Sequence, residues 1–348
     1  MTPPTAADVY QQAVAASVFI DNQDSNGELV RQGSGFFIGK NLLLTAFQII
    51  DGANSLQIGF PDGTHATVNQ VLAWNRRQDW AILKVDAPKV QPLERAKAGS
   101  WKVGDVCYLL GAPNESSRTI QNVGITGIQE TADTGERLST SWTGEPLAIG
   151  SPLLDDYGRV VGVLGGNLLP GVESLRRSGV TEFILAGVAP ENSGTPLVVP
   201  ISAIPEQSNS SQPVTLSALA AQGLFIKPLS RDSQVMSGVL CRNYQELGHV
   251  AYSPVGQTFQ FSRANDSLAV VITWTPDRKT KATMQFQVYD LDNHPVGETR
   301  LEKISLEPRV TASSAVKIAL SSLRPGMYRI DLLLGDAPQW REFFRVNE

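Results

Sequence analysis

Residues 147–153 read Leu-Ala-Ile-Gly-Ser-Pro-Leu, and residues 155–163 continue as Asp-Asp-Tyr-Gly-Arg-Val-Val-Gly-Val. The first stretch contains a tight Gly-Ser-Pro turn. The second contains a Gly-Arg turn that leads directly into a run of apolar residues. Short apolar segments separated by such turns are typical of antiparallel strands. This stretch therefore predicts a strand, a hairpin turn at Gly158 and a second, buried strand.

Composition places the chain among ordinary folded proteins of about two domains. It has 348 residues, of which 42% are hydrophobic and 18% are charged. The formal net charge is −5, and no block of Lys and Arg offers a footprint for phosphate groups. We therefore predict no nucleic acid among the partners. No apolar run reaches the length of about 18 residues that a membrane-spanning helix needs, which predicts no membrane span.

The first residues, Met-Thr-Pro-Pro, contain neither the basic region nor the apolar region of a signal peptide. The sequence as written therefore predicts a cytoplasmic protein, with a periplasmic or secreted location as the alternative if a leader has been removed. The two cysteines, Cys107 and Cys241, are far apart in the sequence, and two are too few for a disulfide framework. We expect both to be free, buried thiols.

Strand patterns recur at short, regular spacing through the first half of the chain. A short helix over 9–16 precedes them, with Thr5 as its cap. The predicted strands occupy 17–21, 33–38, 41–46, 56–60, 66–74, 79–85, 103–111 and 119–128. Turn residues such as Pro61-Asp62-Gly63 separate them. This arrangement predicts a mainly β fold, built as antiparallel barrels or a sandwich.

Five motifs in this half resemble trypsin-like serine proteases, and most closely their bacterial high-temperature-requirement type. They occur in the family's order, together with the Gly-Ser-Pro-Leu turn at 150–153, which resembles the family's nucleophile loop. The resemblance implies a trypsin-like double β-barrel over residues 1–205. The motifs are Gly-Ser-Gly-Phe-Phe-Ile at 33–38, Leu-Thr-Ala-Phe-Gln-Ile at 44–49, Asp-Trp-Ala-Ile-Leu at 79–83, Val-Gly-Asp at 103–105 with Gly-Ala-Pro at 111–113, and Leu-Val-Val-Pro-Ile at 197–201.

The same resemblance locates three catalytic positions, and two of them carry residues that cannot do the chemistry. The family's histidine falls on Gln48, its aspartate on Asp79 and its serine on Ile149. A carboxamide does not accept a proton near neutral pH, and an isoleucine has no hydroxyl. The resemblance therefore implies a pseudoprotease with no functional catalytic residues.

Other residues offer alternatives that are weaker. Ser151 lies two positions beyond the nucleophile position and is the alternative nucleophile. His65, His249 and His294 are scattered in sequence and show no spacing typical of metal ligands, so we expect neither metal nor cofactor. A cation at Asp155-Asp156 is a further alternative to a solvated turn. Four aromatic residues, Trp274, Trp340, Tyr328 and Phe344, fit either a sandwich core or a carbohydrate platform, and the core is favoured.

The second half of the chain has a different character. Residues 206–236 are predicted to form a linker that contains a short helix over 215–222. From 237 to 348 the alternating patterns resemble an immunoglobulin-like β-sandwich. Three hypotheses remain for function: a pseudoprotease that binds another protein or peptide as a scaffold or regulator, a hydrolase that uses Ser151, and a structural protein whose sandwich carries the binding.

Overall fold

The chain folds into two compact units that meet in sequence between Ile226 and Lys227. Strands account for 54% of the described residues and helices for 8%, so the prediction of a mainly β chain is confirmed. No helix in the part described is long and apolar enough to cross a membrane. The computed structural model describes residues 4–87, 89–114, 117–131, 134–142, 148–165, 197–206, 212–230, 232–248, 251–264, 267–299 and 301–348.

The first unit begins with helix α1 (Ala6–Val14), which Thr5 caps as predicted, although the helix starts and ends earlier than the predicted range of 9–16. The Asp8 carboxylate accepts from the Thr5 backbone amide at 2.9 Å, and the Asp8 amide donates to the Thr5 hydroxyl. Seven antiparallel strands and one short helix follow. Strands β1 to β7 span Ser17–Gln23, Leu29–Gly39, Leu42–Thr45, Ser55–Gly59, His65–Val68, Gln70–Asn75 and Trp80–Lys84, and helix α2 spans Phe47–Ile50 between β3 and β4.

A closed barrel of six strands completes the first unit, in the order β10-β13-β12-β11-β8-β9. The two strands predicted on either side of Gly158 are β11 and β12 of this barrel. Gly158 adopts φ +77° in the turn between them. Strands β8 to β13 span Val106–Asn114, Ser117–Thr131, Gly135–Thr140, Pro152–Leu154, Val160–Leu164 and Val198–Pro200.

The segment predicted as a linker contributes a strand and a helix to the first unit. Strand β14 (Val214–Thr215) pairs with β6, so that the first sheet reads β14-β6-β7-β3-β2-β1-β4-β5. Helix α3 (Leu216–Ala221) then buries Leu216 and Leu219 in the same hydrophobic cluster as residues of both sheets. Residues 207–211 of the predicted linker lie outside the described residues.

The second unit is a sandwich of two sheets. Strands β15 to β24 span Val235–Glu246, Tyr252–Gln257, Gln260–Ser262, Leu268–Trp274, Thr280–Tyr289, Pro295–Glu298, Glu302–Leu306, Ala312–Ile318, Gly326–Leu334 and Ala337–Asn347. One sheet reads β16-β15-β18-β22. The other reads β17-β24-β23-β19-β20, with β21 also paired to β19 and with β17 parallel to β24. Residues ahead of β15 attach to β24, where the Ser230 amide donates to the Pro338 carbonyl.

Side chains from both sheets fill the core of this sandwich. Trp274 and Phe344 are fully buried, and Trp340 and Tyr328 are almost so, which confirms the core interpretation of these aromatics over a carbohydrate platform. The Tyr328 hydroxyl donates to the Arg324 carbonyl at 2.7 Å, just before β23 begins to pair. Both cysteines are free and buried, as predicted, and burial raises the pKa of the Cys107 thiol to about 12.

One acidic residue points into the sandwich core. Glu342 on β24 pairs across the ladder with Ile330, a core residue, and is only 3% exposed. Its carboxylate accepts from the Phe343 amide at 3.0 Å. Burial raises the pKa of the Glu342 carboxyl to about 7 from an ordinary value of 4.5, because the charged form is poorly solvated there.

This carboxyl makes the stability of the second unit depend on pH. The unfolded chain releases the Glu342 proton above pH 4.5, whereas the folded chain holds it to about pH 7. The contribution of this carboxyl to the free energy of unfolding is therefore fully present below pH 4.5 and is lost as the pH rises to 7. We expect Glu342→Gln to raise the unfolding free energy at pH 8 by on the order of 3 kcal/mol. Urea unfolding at pH 4.5 and pH 8 measures the effect, with the exposed strand residue Glu302→Gln as control. Equal stabilisation by Glu342→Gln at both pH values would contradict the assignment.

Candidate functional site

Gln48 is held in place by the short helix that carries it. Its neighbours Phe47, Ile49 and Ile50 are buried, which leaves Gln48 as the residue of α2 that is only partly buried. The fully buried Asn22 side chain donates to the carbonyls of Ile49 and Asp51 at 2.9 and 3.1 Å. These bonds satisfy carbonyls at the end of α2 that have no partner within so short a helix.

Two hydrogen bonds connect Gln48 to Asp79. The Gln48 backbone amide donates to Oδ1 of Asp79 at 2.9 Å, and the side-chain amide nitrogen Nε2 donates to Oδ2 at 2.8 Å. Asp79 adopts φ +57°, a left-handed conformation that aspartate tolerates better than most residues, at the turn into β7. Gln48 thus makes with its amide the contact to the carboxylate that a catalytic histidine makes with its ring nitrogen.

The turn that carries Ile149 is fixed from both sides. The Ser34 amide donates to the Ile149 carbonyl at 2.8 Å, and the Gly150 amide donates to the Leu164 carbonyl at 2.7 Å. Gly150 adopts φ +90°, and a Cβ added to it would overlap the Ser34 carbonyl oxygen. The Ile149 side chain is 7% exposed and belongs to the hydrophobic cluster that both sheets share.

Close contacts with two glycines relate Ile149 to the Gln48–Asp79 pair. A Cβ on Gly33 would clash with both the Ile49 side chain and the Ile149 carbonyl oxygen, so the residue next to Gln48 lies beside Ile149. A Cβ on Gly165 would lie 3.2 Å from Oδ2 of Asp79. Because Gly165 directly follows Leu164, which bonds to Gly150, the structure brings the three positions to one region between the two sheets.

Several cations surround this region. Arg31 donates to the Gln48 carbonyl, and Arg76 forms a partly buried ion pair with Asp51 at 3.0 Å. Arg137 of β10 is also buried, and its guanidinium donates to the carbonyls of Glu136 and Arg77 at 3.2 Å. Burial lowers the pKa of the Arg137 guanidinium, and attraction to Asp79 opposes that effect.

Among the described residues, no side chain is placed to activate Ser151, the alternative nucleophile. Ser151 is fully buried, and its hydroxyl oxygen has no hydrogen-bond partner among the described residues. His65 is exposed on β5, His294 is exposed in the turn between β19 and β20, and His249 lies outside the described residues. Residues 143–147, just before the turn that carries Ile149, are also outside them.

The acidic turns have structural roles. Asp155 accepts from the Tyr157 and Arg159 amides and forms an ion pair with Arg159 at 2.8 Å, which accounts for its place in the β11–β12 turn. In the β19–β20 turn, side-chain atoms of Asp290, Asp292 and His294 lie within 4.8 Å of one another. Histidine spacing in the sequence did not indicate this grouping, but turn hydrogen bonds to Asp290 already explain it.

Comparisons with known proteins find similarity in the first unit. Residues 33–163, which include Gln48, Asp79 and Ile149, match the family model described as a trypsin-like peptidase domain. Together with the two barrel-type sheets, this match confirms the predicted trypsin-like fold, followed by a further β domain.

The similar curated proteins are longer, and each aligns with less than half of this chain. The chain is 28% identical over 152 residues to the anti-sigma-I factor RsgI9 of Acetivibrio thermocellus and 28% identical over 147 residues to the chloroplastic Protease Do-like 1 of Arabidopsis thaliana. The alignments cover 42% and 38% of this chain but 21% and 32% of the relatives, so the chain spans a third or less of their lengths. The active form of the Rv3671c protease of M. tuberculosis aligns over 62% of this chain and 92% of its own, with 21% identity and a TM-score of 0.47.

The close approach at Gly150 provides a test of the turn geometry. We expect Gly150→Ala to lower the unfolding free energy of the first unit by about 3 kcal/mol or more, because the added methyl meets the Ser34 carbonyl. Gly27→Ala is the matched control, since Gly27 also has a positive φ, +77°, but no heavy atom within 4 Å of an added Cβ. It should cost only about 1 kcal/mol. Similar losses for the two variants in urea unfolding would show that the Ile149 turn is not packed as described.

Proposed function

We propose that the first unit is a pseudoprotease domain, a trypsin-like fold that binds or regulates without cleaving. The observation that carries this proposal is the pair of bonds from Gln48 to Asp79, with Ile149 at the nucleophile position. Acyl transfer needs a group that takes the proton from the nucleophile. In this arrangement the Gln48 amide nitrogen donates to Asp79, and it has no lone pair basic enough to accept a proton.

In this proposal the nucleophile is missing as well as the base. Ile149 offers no atom that can form an acyl intermediate, and its side chain is packed in the shared hydrophobic cluster. Removing triad residues together costs on the order of a millionfold in rate, and binding alone leaves only a small residual effect. Neither cofactor nor metal enters the proposed mechanism, because the proposed role consists of recognition and has no chemical step.

The hydrolase alternative would need Ser151 to act as the nucleophile. Its hydroxyl is fully buried, whereas a nucleophile must reach a substrate carbonyl. It also has no hydrogen bond to a described side chain that would take its proton. We therefore favour the non-catalytic function over a displaced nucleophile.

The partner we propose is another protein or an extended peptide, held near the former catalytic region by strand addition. One similar protein is named an anti-sigma factor and others are named proteases. A regulatory role fits the residues found here. The competing structural hypothesis, in which the sandwich binds and the barrels act as a spacer, predicts that the sandwich alone retains binding.

For the second unit, we propose an immunoglobulin-like sandwich over residues 237–348. Two features support this class. The parallel pairing of β17 with β24 adds an early strand to the sheet that holds the last one. The bond from the Tyr328 hydroxyl to the Arg324 carbonyl, between β22 and β23, has the geometry of the tyrosine corner found in such domains.

The absence of chemistry can be measured directly. We expect the purified protein neither to cleave casein nor to react with a fluorophosphonate, because the base and the nucleophile are both missing. The control is an active trypsin-like protease under the same conditions, and Ser151→Ala should behave as the parent does. Labelling of the parent that disappears in Ser151→Ala would overturn the proposal and identify an enzyme with a displaced nucleophile.

A further inference from the structure

We propose that residues 224–226 form a strap that holds helix α2, so that detaching this segment also releases the Gln48 amide from Asp79. The strap is the stretch of chain between α3 and the first residue of the second unit. The proposal goes beyond the function proposed above, because it holds whether or not the first unit cleaves peptides. It makes the order of the Gln48 region depend on the chain that leads into the second unit.

The first argument is the length of α2. It spans only Phe47–Ile50, and a helix of one turn is not stable in water without contacts from outside it. Some of these contacts come from Asp79, which accepts from the Gln48 amide at 2.9 Å, and from Asn22, which donates to carbonyls at the end of the helix. The strap provides a further set of contacts, at the end of α2 and on its first residue.

The carboxylate of Asp51, directly after α2, holds the strap by its backbone. Its Oδ1 accepts from the Ile226 amide at 2.8 Å, and its Oδ2 pairs with Nη1 of Arg76 at 3.0 Å. The same Nη1 donates to the Leu224 carbonyl, also at 3.0 Å. The Asp51 and Arg76 side chains are only 9% and 11% exposed, and charge-assisted hydrogen bonds are stronger in such surroundings than in water. Asp51 and Arg76 therefore bind both ends of the strap.

The middle residue of the strap packs on the first residue of α2. Phe225 is 8% exposed, and its ring centroid lies 6.1 Å from that of Phe47. The guanidinium carbon of Arg76 lies 5.2 Å from the Phe47 ring centroid. Aromatic pairs and cation–π contacts of this kind stabilise beyond the area that they bury. The residue that precedes Gln48 is thus in contact both with the strap and with the cation that binds the strap.

The backbone of the strap also fits closely against the end of α2. Gly52 adopts φ +79°, and a Cβ added to it would lie 3.2 Å from the Ile226 carbonyl oxygen. At the other end of the strap, the Leu224 amide donates to the Leu219 carbonyl of α3 at 3.1 Å. After Ile226 the chain enters the second unit at Lys227. The strap therefore follows directly on α3 and leads directly into the second unit.

These contacts make the attachment of the strap and the order of α2 parts of one local opening. Backbone amides in small units of this kind exchange with water when the unit opens locally. Detaching the strap removes one partner from Asp51 and another from Phe47, on either side of Gln48, whereas the bonds from Asn22 remain. Thermodynamic linkage makes the effect reciprocal, so loosening Gln48 from Asp79 weakens the attachment of the strap by the same free energy.

Amide hydrogen exchange on the full chain tests the proposal. We expect Phe225→Ala to speed exchange of both the Gln48 and the Ile226 backbone amides about tenfold or more, because loss of a buried ring favours local opening. Phe60→Ala is the matched control, since the Phe60 ring stacks on Phe37 in the first unit at a similar centroid distance, 6.2 Å. It should leave both exchange rates within about twofold of the parent values.

The variant Gln48→Ala tests the same coupling from the other end. It removes the side-chain bond to Asp79 and keeps the backbone amide, and it should speed exchange of the Ile226 amide. Asp51→Asn is a milder change in the strap contact. It keeps an oxygen that can accept from the Ile226 amide but loses the charge that pairs with Arg76. It should likewise speed exchange of both amides.

An unchanged Gln48 amide in Phe225→Ala would overturn the proposal, because the strap would then detach without loosening α2. An equal increase in Phe60→Ala would overturn it as well, since the effect would then reflect the stability of the whole unit. If Phe225→Ala does not fold, Asp51→Asn and Gln48→Ala decide by the same criterion. The measurement needs no substrate, so its outcome is independent of the protease assay that tests the proposed function.

Discussion

The bidentate contact between Gln48 and Asp79 is the interaction on which the first unit depends most. Asp79 lies at a left-handed turn, and its two oxygens accept both amides of Gln48. Through these bonds the loop before β7 is tied to α2, and α2 is tied in turn to Asn22 of β1. In the non-catalytic role that we propose, these bonds join secondary-structure elements.

Much of the fold of the first unit could be predicted from the sequence, because it follows from local sequence patterns. The turn at Gly158, the buried strands on either side and the cap of α1 each rest on residues whose conformational preferences are strong. The positions Gln48, Asp79 and Ile149 came from a resemblance and not from periodicity. The burial of Arg137 could not have been found this way, since nothing in Glu-Arg-Leu within a strand distinguishes a buried cation from a solvated one. Its guanidinium donates to the Arg77 carbonyl, a contact between β10 and the loop before β7, which are far apart in sequence.

The segment after the closed barrel, residues 206–236, shows a similar limit of prediction from sequence. Its Ser, Asn, Gln and Pro content indicated a linker, and the short helix within it was expected. What the pattern did not reveal is that Leu216 and Leu219 enter the core of the first unit while β14 extends its sheet. Two apolar residues in a polar stretch are a weak signal, and tertiary packing decides the outcome. In the sandwich, Glu342 is the opposite case, a charged residue at a position where the alternation of β24 requires an apolar one.

In the proposed non-catalytic role, Gln48 and Asp79 act together as a structural pair. A double-mutant cycle measures this directly, with Gln48→Ala, Asp79→Ala and the double variant compared by urea unfolding of the first unit. We expect each single variant to be destabilised and the two losses to be non-additive by about 1 to 3 kcal/mol, because either change already breaks the shared bonds. Losses that simply add, or an Asp79→Ala variant as stable as the parent, would contradict the account.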